Sequence, residues 1–375
     1  MRYIYQQADW ANFYWDKIQV LEKLAEVKAM LGYLLGQMSN LGFEIQNQTL
    51  LEVLTDNIQK SSEIEGETLD ITQIMSSIAR KLSDIIPNME YAPQVNVSRN
   101  IEGAVEITID ALKNYNAEIT ADRLFGWHAA LFPNGYSGMY KIEVGKFRTD
   151  LHGSIRIVSG YFGAEKVHYE APPASSLPYE MKHFLQYANS QDKALDDLIK
   201  AAVVHLWFVT LHPFEDGNGR IARALTEIFL KRSDKCQFRF YSLSSEIMKH
   251  RKGYYEILEQ TQTGSLNITN WILWFLTAIQ NAMRNSNTIL KKTIKISEFW
   301  TKHNMVNFNN RQRKIIKMLL DDFRGHLTSS KWAKICKCSQ DTASRDINDL
   351  ISKNILQKTG NARSTHYVLC QGNNV

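Results

Sequence analysis

The 375-residue sequence is poor in cysteine, proline and glycine, with four, seven and 19 of them. The four cysteines (Cys236, Cys336, Cys338, Cys370) make no disulfide framework, and Cys336-x-Cys338 has no second Cys/His pair at zinc spacing. Reduced thiols in a cytoplasmic protein are expected. So little proline and glycine excludes collagen-like and Pro/Gly-rich disordered classes. Long apolar runs are also missing. The best, Trp271–Leu276, falls far below the ~18 residues of a membrane span, and the opening MRYIYQQADW holds no signal-peptide core. No membrane association is expected. Acidic residues thin out at the end of the chain. Residues 311–375 hold 12 Lys/Arg against 5 Asp/Glu, while residues 1–310 hold 32 against 34. A polyanion-binding module at the C-terminus would account for that asymmetry.

What is present reads mostly as helix. Apolar residues recur at helical spacing over 16–38, 48–63, 70–84, 96–114, 120–131, 177–190, 196–211, 219–232, 245–261 and 267–302. Gly66 reads as the terminator of the second helix and Asp70 as the N-cap of the third. Residues 145–173 differ: Ile155–Val158 alternates, glycines follow, and Val167–Tyr169 returns before Pro172 and Pro173, a β-hairpin pattern. From about 309, three short helices (311–322, 328–335, 340–353) precede a two-stranded ribbon (355–358, 365–369), the order of a winged helix-turn-helix. The expected fold is mainly α with a small C-terminal winged helix. Its divisions are an N-terminal helical region (1–85), a catalytic domain (86–285), a helical linker (286–308) and the winged module (309–375).

One stretch carries chemistry: His212-Pro-Phe-Glu-Asp216-Gly-Asn-Gly-Arg220-Ile-Ala-Arg223. Gly217-Asn218-Gly219 before a helix start can turn several N–H groups inward as an anion nest. Arg220 and Arg223, three apart on one helix face, suit the oxygens of a polyphosphate. Asp216 at the lip of a phosphate site is a ligand type for Mg²⁺, which keeps most of its waters. His212, ending an apolar helix, is a candidate general base near neutral pH. Phe214 reads as a plug into the core.

HPFEDGNGRIAR fits the Fic motif HxFx(D/E)GNGRxxR at every defined position, and the resemblance extends over roughly 86–285. It implies a helical fold with a hairpin flap at 155–169, and transfer of AMP from ATP, with Mg²⁺, to a Ser, Thr or Tyr hydroxyl of a protein, the chain itself included. His212 would be the catalytic base and Asp216 the metal ligand. Nucleotide contacts would come from Gly217, Asn218, Gly219, Arg220, Arg223 and Glu65, and from Val158, Ser159 and Gly160 of the flap. The stretch from His250 resembles the family's RxxYYxxL segment and implies Tyr254 and Gln262 in an adenine pocket. The Asn common at the Gln262 position is absent.

Ser61-Ser-Glu-Ile-Glu65-Gly66 matches the spacing of the family's inhibitory helix, (S/T)xxxE(G/N). Ser61, Glu65 and Gly66 are its defining residues. An anionic Glu65 on Arg223 would place negative charge where the γ-phosphate must go. The opening YIYQQADWANFYWD resembles the N-terminal extension of bacterial relatives and is expected to pack against this helix. In the C-terminal module, Gln340, Thr342, Ser344, Arg345 and Asn348 on the third helix and Arg363 in the wing are residue types that contact DNA; the alternative is a protein-interaction or homodimerisation wing. Two further functions stay open beside the autoinhibited adenylyltransferase. One is a de-adenylylase using Glu65, the other a DNA-binding regulator with a nucleotide-sensing domain.

Overall fold

The computed structural model describes residues 3–39, 41–83, 94–150, 153–159, 166–192, 194–236, 239–320, 323, 325–361 and 364–370. The chain divides into two compact units, Met1–Asn287 and Thr288–Val375, and helix dominates it. Among the described residues no helix is long and apolar enough to cross a membrane.

The helices in chain order are α1 (Lys17–Ser39), α2 (Phe43–Ile64), α3 (Ile71–Lys81), α4 (Arg99–Lys113), α5 (Ala121–Leu131), α6 (Leu177–Asn189), α7 (Asp197–Leu211), α8 (Asn218–Asp234), α9 (Leu243–Lys249), α10 (Arg251–Gln262) and α11 (Thr269–Lys302). Two antiparallel pairs interrupt them: β1 (Tyr136–Ser137) with β2 (Tyr140–Lys141), and β3 (Arg156–Ser159) with β4 (Lys166–Glu170). At the centre lies α7, buried from Leu198 to Leu211. A helix apolar on every side must be enclosed, and α6 and α8 pack directly on it. Most of its few polar groups are satisfied, Trp207 Nε1 being without a partner among the described residues. His205 bonds the Thr226 hydroxyl (3.0 Å) and the Tyr254 hydroxyl (2.8 Å), and the Thr210 carbonyl accepts from Tyr169 (2.7 Å). That last bond ties the β3–β4 hairpin to the final turn of α7.

Local signals placed most ends. The Asp70 carboxylate accepts from the Gln73 N–H (2.8 Å) as the N-cap of α3, a contact worth about 1 kcal/mol. Gly66, at φ +87°, closes α2: its N–H reaches the Glu63 carbonyl and that of Glu67 reaches Ser62, both at 3.0 Å, a Schellman closure. Three features depart from the sequence reading. The helix expected over 245–261 breaks at His250, whose N–H forks to the Glu246 and Ile247 carbonyls (3.2 Å each) while its own carbonyl starts α10; one apolar periodicity spans both halves and hides the break. The β1–β2 pair was not anticipated. The N-terminal opening, expected against α2, meets the hairpin and α7. Tyr3 and Tyr5 lie edge-on to Tyr169 of the hairpin, Trp10 and Phe13 pack on Trp207 of α7, and Tyr14 bridges to Asn267.

In the second unit α12 (Asn310–Leu320), α13 (Ser329–Cys336) and α14 (Gln340–Ser352) precede the antiparallel ribbon β5 (Leu356–Thr359) and β6 (His366–Leu369). Ile315, Ile316, Leu327, Trp332, Ala343, Ile347 and Leu350 form its core. Phe299 and Trp300, from the stretch expected to be a linker, pack against that core as well.

Candidate active site

The turn from α7 to α8 builds the site. His212 takes a left-handed conformation (φ +50°) and ends α7. Its Nδ1 faces the Val209 carbonyl at 3.3 Å, which leaves Nε2 as the basic nitrogen. Burial, with Arg148 nearby, lowers its pKa to about 4, so the imidazole is neutral at pH 7. Phe214 plugs the core, fully buried and stacked on His128 at 4.3 Å. The Asn218 side chain accepts from the Phe214 N–H (3.0 Å) and donates to its carbonyl (2.8 Å). Asn218 therefore braces the turn with its side chain instead of presenting it to a ligand.

Three groups that the sequence reading missed fix this turn from outside. Arg148, 3 % exposed, donates through Nε to the His212 carbonyl (2.7 Å), while its backbone N–H reaches the Pro213 carbonyl (2.9 Å). The Gly145 N–H reaches His128 Nδ1 (3.2 Å), so His128 Nε2–H donates to the Asp216 carbonyl (3.2 Å). Burial holds His128 at a pKa of about 4, which keeps that tautomer neutral. Ser137 of β1 donates its hydroxyl to Asp216 Oδ2 at 2.5 Å. None of the three is adjacent to the motif in sequence; the glycines around Tyr136-Ser137 were the only local hint.

The Asp216 carboxylate is 41 % exposed, takes the Gly217 N–H on Oδ1 (2.5 Å) and lies 3.9 Å from Arg220 Nη2. Among the described residues no group of three or more His, Cys, Asp or Glu could hold a metal ion alone. One outward-facing carboxylate beside an anion site fits Mg²⁺ that arrives with phosphates and keeps its waters. Gly217 (φ +80°) opens α8, and a Cβ there would sit 2.9 Å from the Phe132 ring, so only glycine fits.

The end of α2 meets the start of α8. Arg223 donates through Nε to the Ser61 hydroxyl (2.8 Å), and through Nη2 to the Ser61 carbonyl (2.7 Å) and Glu65 Oε1 (2.7 Å). The carbonyl is one that a helix end leaves unpaired. The negative end of one helix dipole thus faces a cation, and the Glu65 carboxylate faces the positive end of the next. A Cβ on Gly219 would collide with Glu65 Oε1, so this carboxylate lies against the glycine turn. Glu67, two residues on, pairs with Arg220 at 2.7 Å, and the Arg220 guanidinium stacks over Phe132. The family spacing does not include Glu67, and the Schellman closure at Gly66 is what delivers it. Among the described residues Arg220 Nε and Arg223 Nη1 are buried without a partner, donors an anion could use.

Other expected contacts fall differently. Tyr254 is 2 % exposed, its hydroxyl on His205 and its ring near Trp271 and Trp274; burial raises its pKa. Gln262 is 3 % exposed with its amide on Thr210 (3.2 Å). Both side chains belong to the core in this state. Val158 is exposed on the hairpin opposite Val167. Gly160, Arg363 and the side chain of Ser159 lie outside the described residues. Thr342 closes the Ser339 cap with its hydroxyl (2.9 Å), and Gln340 bonds Ser330 (2.7 Å). Ser344, Arg345 and Asn348 are exposed on α14.

Residues 118–230 match the family model described as Fic/DOC family. Residues 3–83 match a domain of unknown function, DUF4172. The chain is 26% identical over 216 residues to the protein adenylyltransferase Fic of Aedes aegypti, covering 57% of this chain and 38% of that one. With the protein of the same name from Nematostella vectensis it shares 25% over 223 residues, 58% of this chain and 46% of the other. The chain thus spans less than half the length of these curated relatives. The crystal structure of a Fic family protein from Desulfovibrio desulfuricans G20 superposes with a TM-score of 0.56 at 19% identity, covering 96% of this chain and 98% of that one. That likeness is one of fold.

Proposed function

We propose that this chain, which carries a Fic/DOC-family domain over residues 118–230, is a protein adenylyltransferase held off by its own Glu65. One observation carries the reading: the Glu65 carboxylate occupies both Arg223 and the space over Gly219. Those are the groups a polyphosphate would need.

In the active form Glu65 is withdrawn. ATP lies with its phosphates on the α8 N-terminus, and Arg220 and Arg223 share their charge. His212 Nε2 accepts the proton of a Ser, Thr or Tyr hydroxyl. That oxygen bonds to the α-phosphorus as the bond to the bridging oxygen breaks, and pyrophosphate leaves. Its depressed pKa keeps the imidazole unprotonated at neutral pH, and the bond to Val209 directs the other nitrogen at the substrate. Asp216 would hold Mg²⁺, which supplies charge neutralisation on the phosphates. The exposed edges of the β3–β4 hairpin offer backbone groups to an extended target segment. With Glu65 in place, negative charge sits in the nest and ATP can bind only out of line.

The test is incubation with ATP labelled at the α- or the γ-phosphate, comparing the chain with its His212→Ala variant in the Glu65→Gly background. Covalent α-label without γ-label, lost with His212→Ala, is expected. Incorporation of γ-label would mean a different transfer. An enzyme that only removes AMP from a pre-modified protein, and loses that activity with Glu65→Gly, would establish the reverse reaction instead.

A further inference from the structure

The two units differ in charge far more than the whole-chain value implies. Thr288–Val375 holds 16 Lys/Arg and 6 Asp/Glu, a net of +10, whereas residues 1–287 carry 28 and 33, a net of −5. Within the basic unit two of the three acids of α14 are turned away from one face. Asp346 binds Arg311 (2.6 Å) and Asn309 (2.9 Å), and Asp349 binds Gln312 (2.7 Å) and Lys353 (2.6 Å). Both therefore point to the α12 side. The opposite stripe, residues 340, 341, 344, 345 and 348, is exposed and recurs at the i, i+4, i+8 spacing of one helix face. It offers amide, hydroxyl and guanidinium groups and one acid, Asp341.

Cations lie on the elements next to α14 in the chain. The Gln340–Ser330 bond sets the start of α13 beside the start of α14. Lys334 lies one turn along α13 and Lys337 in the turn between the helices. Lys358 is exposed on β5. Among the described residues Lys334, Lys337, Arg345 and Lys358 are exposed and their side chains enter no hydrogen bond or ion pair. Lys337 is left-handed (φ +50°) and Ser339 caps α14, so the turn is short and α14 is held by its core residues Ala343, Ile347 and Leu350. A helix of 13 residues extends about 20 Å and fits the B-DNA major groove.

We infer that the Thr288–Val375 unit docks duplex DNA, with the exposed stripe of α14 in the major groove and Lys334, Lys337 and Lys358 on the phosphates. Arg345 and Asn348 are the side chains suited to purine edges, and Asp341 to a cytosine amino group. The Lys and Arg contacts supply most of the affinity and all of its salt dependence.

The experiment uses the full chain and a fluorescent duplex of random sequence, with anisotropy read between about 50 and 200 mM salt, the range over which counterion release is measured. Three phosphate-neutralising cations predict an affinity loss of roughly 40-fold across it. Combining Lys334→Glu, Lys337→Glu and Arg345→Glu is expected to weaken binding at least tenfold and flatten the salt slope, with an unchanged unfolding midpoint. Lys17→Glu with Lys252→Glu, exposed on the other unit, is expected to change neither. No binding at low salt, equal binding by the triple variant, or equal competition by single-stranded nucleic acid each overturns the inference. So does a triple variant that only converts a dimer to a monomer, since the face would then join two copies of the chain.

Discussion

The turn at residues 212–223 and the exposed face of α14 both gather polar side chains, in opposite ways. In the turn, nearly every polar group has a protein partner, and several partners come from far away in sequence: Ser61, Glu65, Glu67, Ser137 and Arg148. On α14, Asp346 and Asp349 are paired inside the unit while Arg345 is exposed and, among the described residues, unpaired. A satisfied site must be emptied before it can bind, whereas a free surface is ready at once. The difference teaches what each proposal requires: the turn has to release Glu65 before an anion enters, whereas Arg345 on the α14 face has no contact to release.

The strongest way to break that contrast is to remove the base. His212→Ala in the Glu65→Gly background is expected to lower the initial rate of α-label incorporation about 10²- to 10⁴-fold. Removal of the brake comes next. Charge-assisted bonds to Arg223 are each worth about 1.5–3 kcal/mol, so Glu65→Gly is expected to raise labelling roughly 10- to 100-fold.

The buried histidines sharpen the contrast through pH. His128, His205 and His212 fall from 6.5 to about 4, 3 and 4. Between those values and 6.5 the unfolded chain binds protons the folded one does not, so their stabilisation is present above 6.5 and lost as pH falls. Asp234, raised to about 7, acts oppositely: its folded form keeps a proton that the unfolded chain releases above 3.8. The net of about two protons gives a slope of up to ~3 kcal/mol per pH unit. Chemical denaturation at pH 7 and pH 5 is expected to show much lower stability at pH 5; equal stability would contradict the burial of these rings.

The smallest effect is expected at Glu67. Its side chain is 48 % exposed, and such pairs contribute about 0.2–1 kcal/mol. Glu67→Gln is expected to raise labelling less than about fivefold, measured beside Glu65→Gly. An equal rise would make Glu67 a full member of the brake.

Much of this was legible in the sequence. Apolar periodicity located nearly all the helices, because α7 must be enclosed and the others each show a buried stripe. The motif gave the turn, and six residues gave the Glu65 contact, because glycine chemistry and helix termini are local. What periodicity could not supply was the identity of distant partners. Ser137 reaches Asp216 from a two-residue strand, and Arg148 reaches His212 from a loop. Tyr3 and Tyr5 meet the hairpin, where Tyr169 offers them a buried ring. Tyr254 and Gln262 sit in the core because His205 and Thr210 of α7 need partners there.

The most direct measurement is the initial rate of α-label incorporation by Glu65→Gly relative to the unaltered chain, at saturating ATP and Mg²⁺. A rise of at least tenfold is expected, as when a charge-assisted contact is lost. An unchanged or lower rate would contradict it, because Glu65 would then not be holding the phosphate site closed.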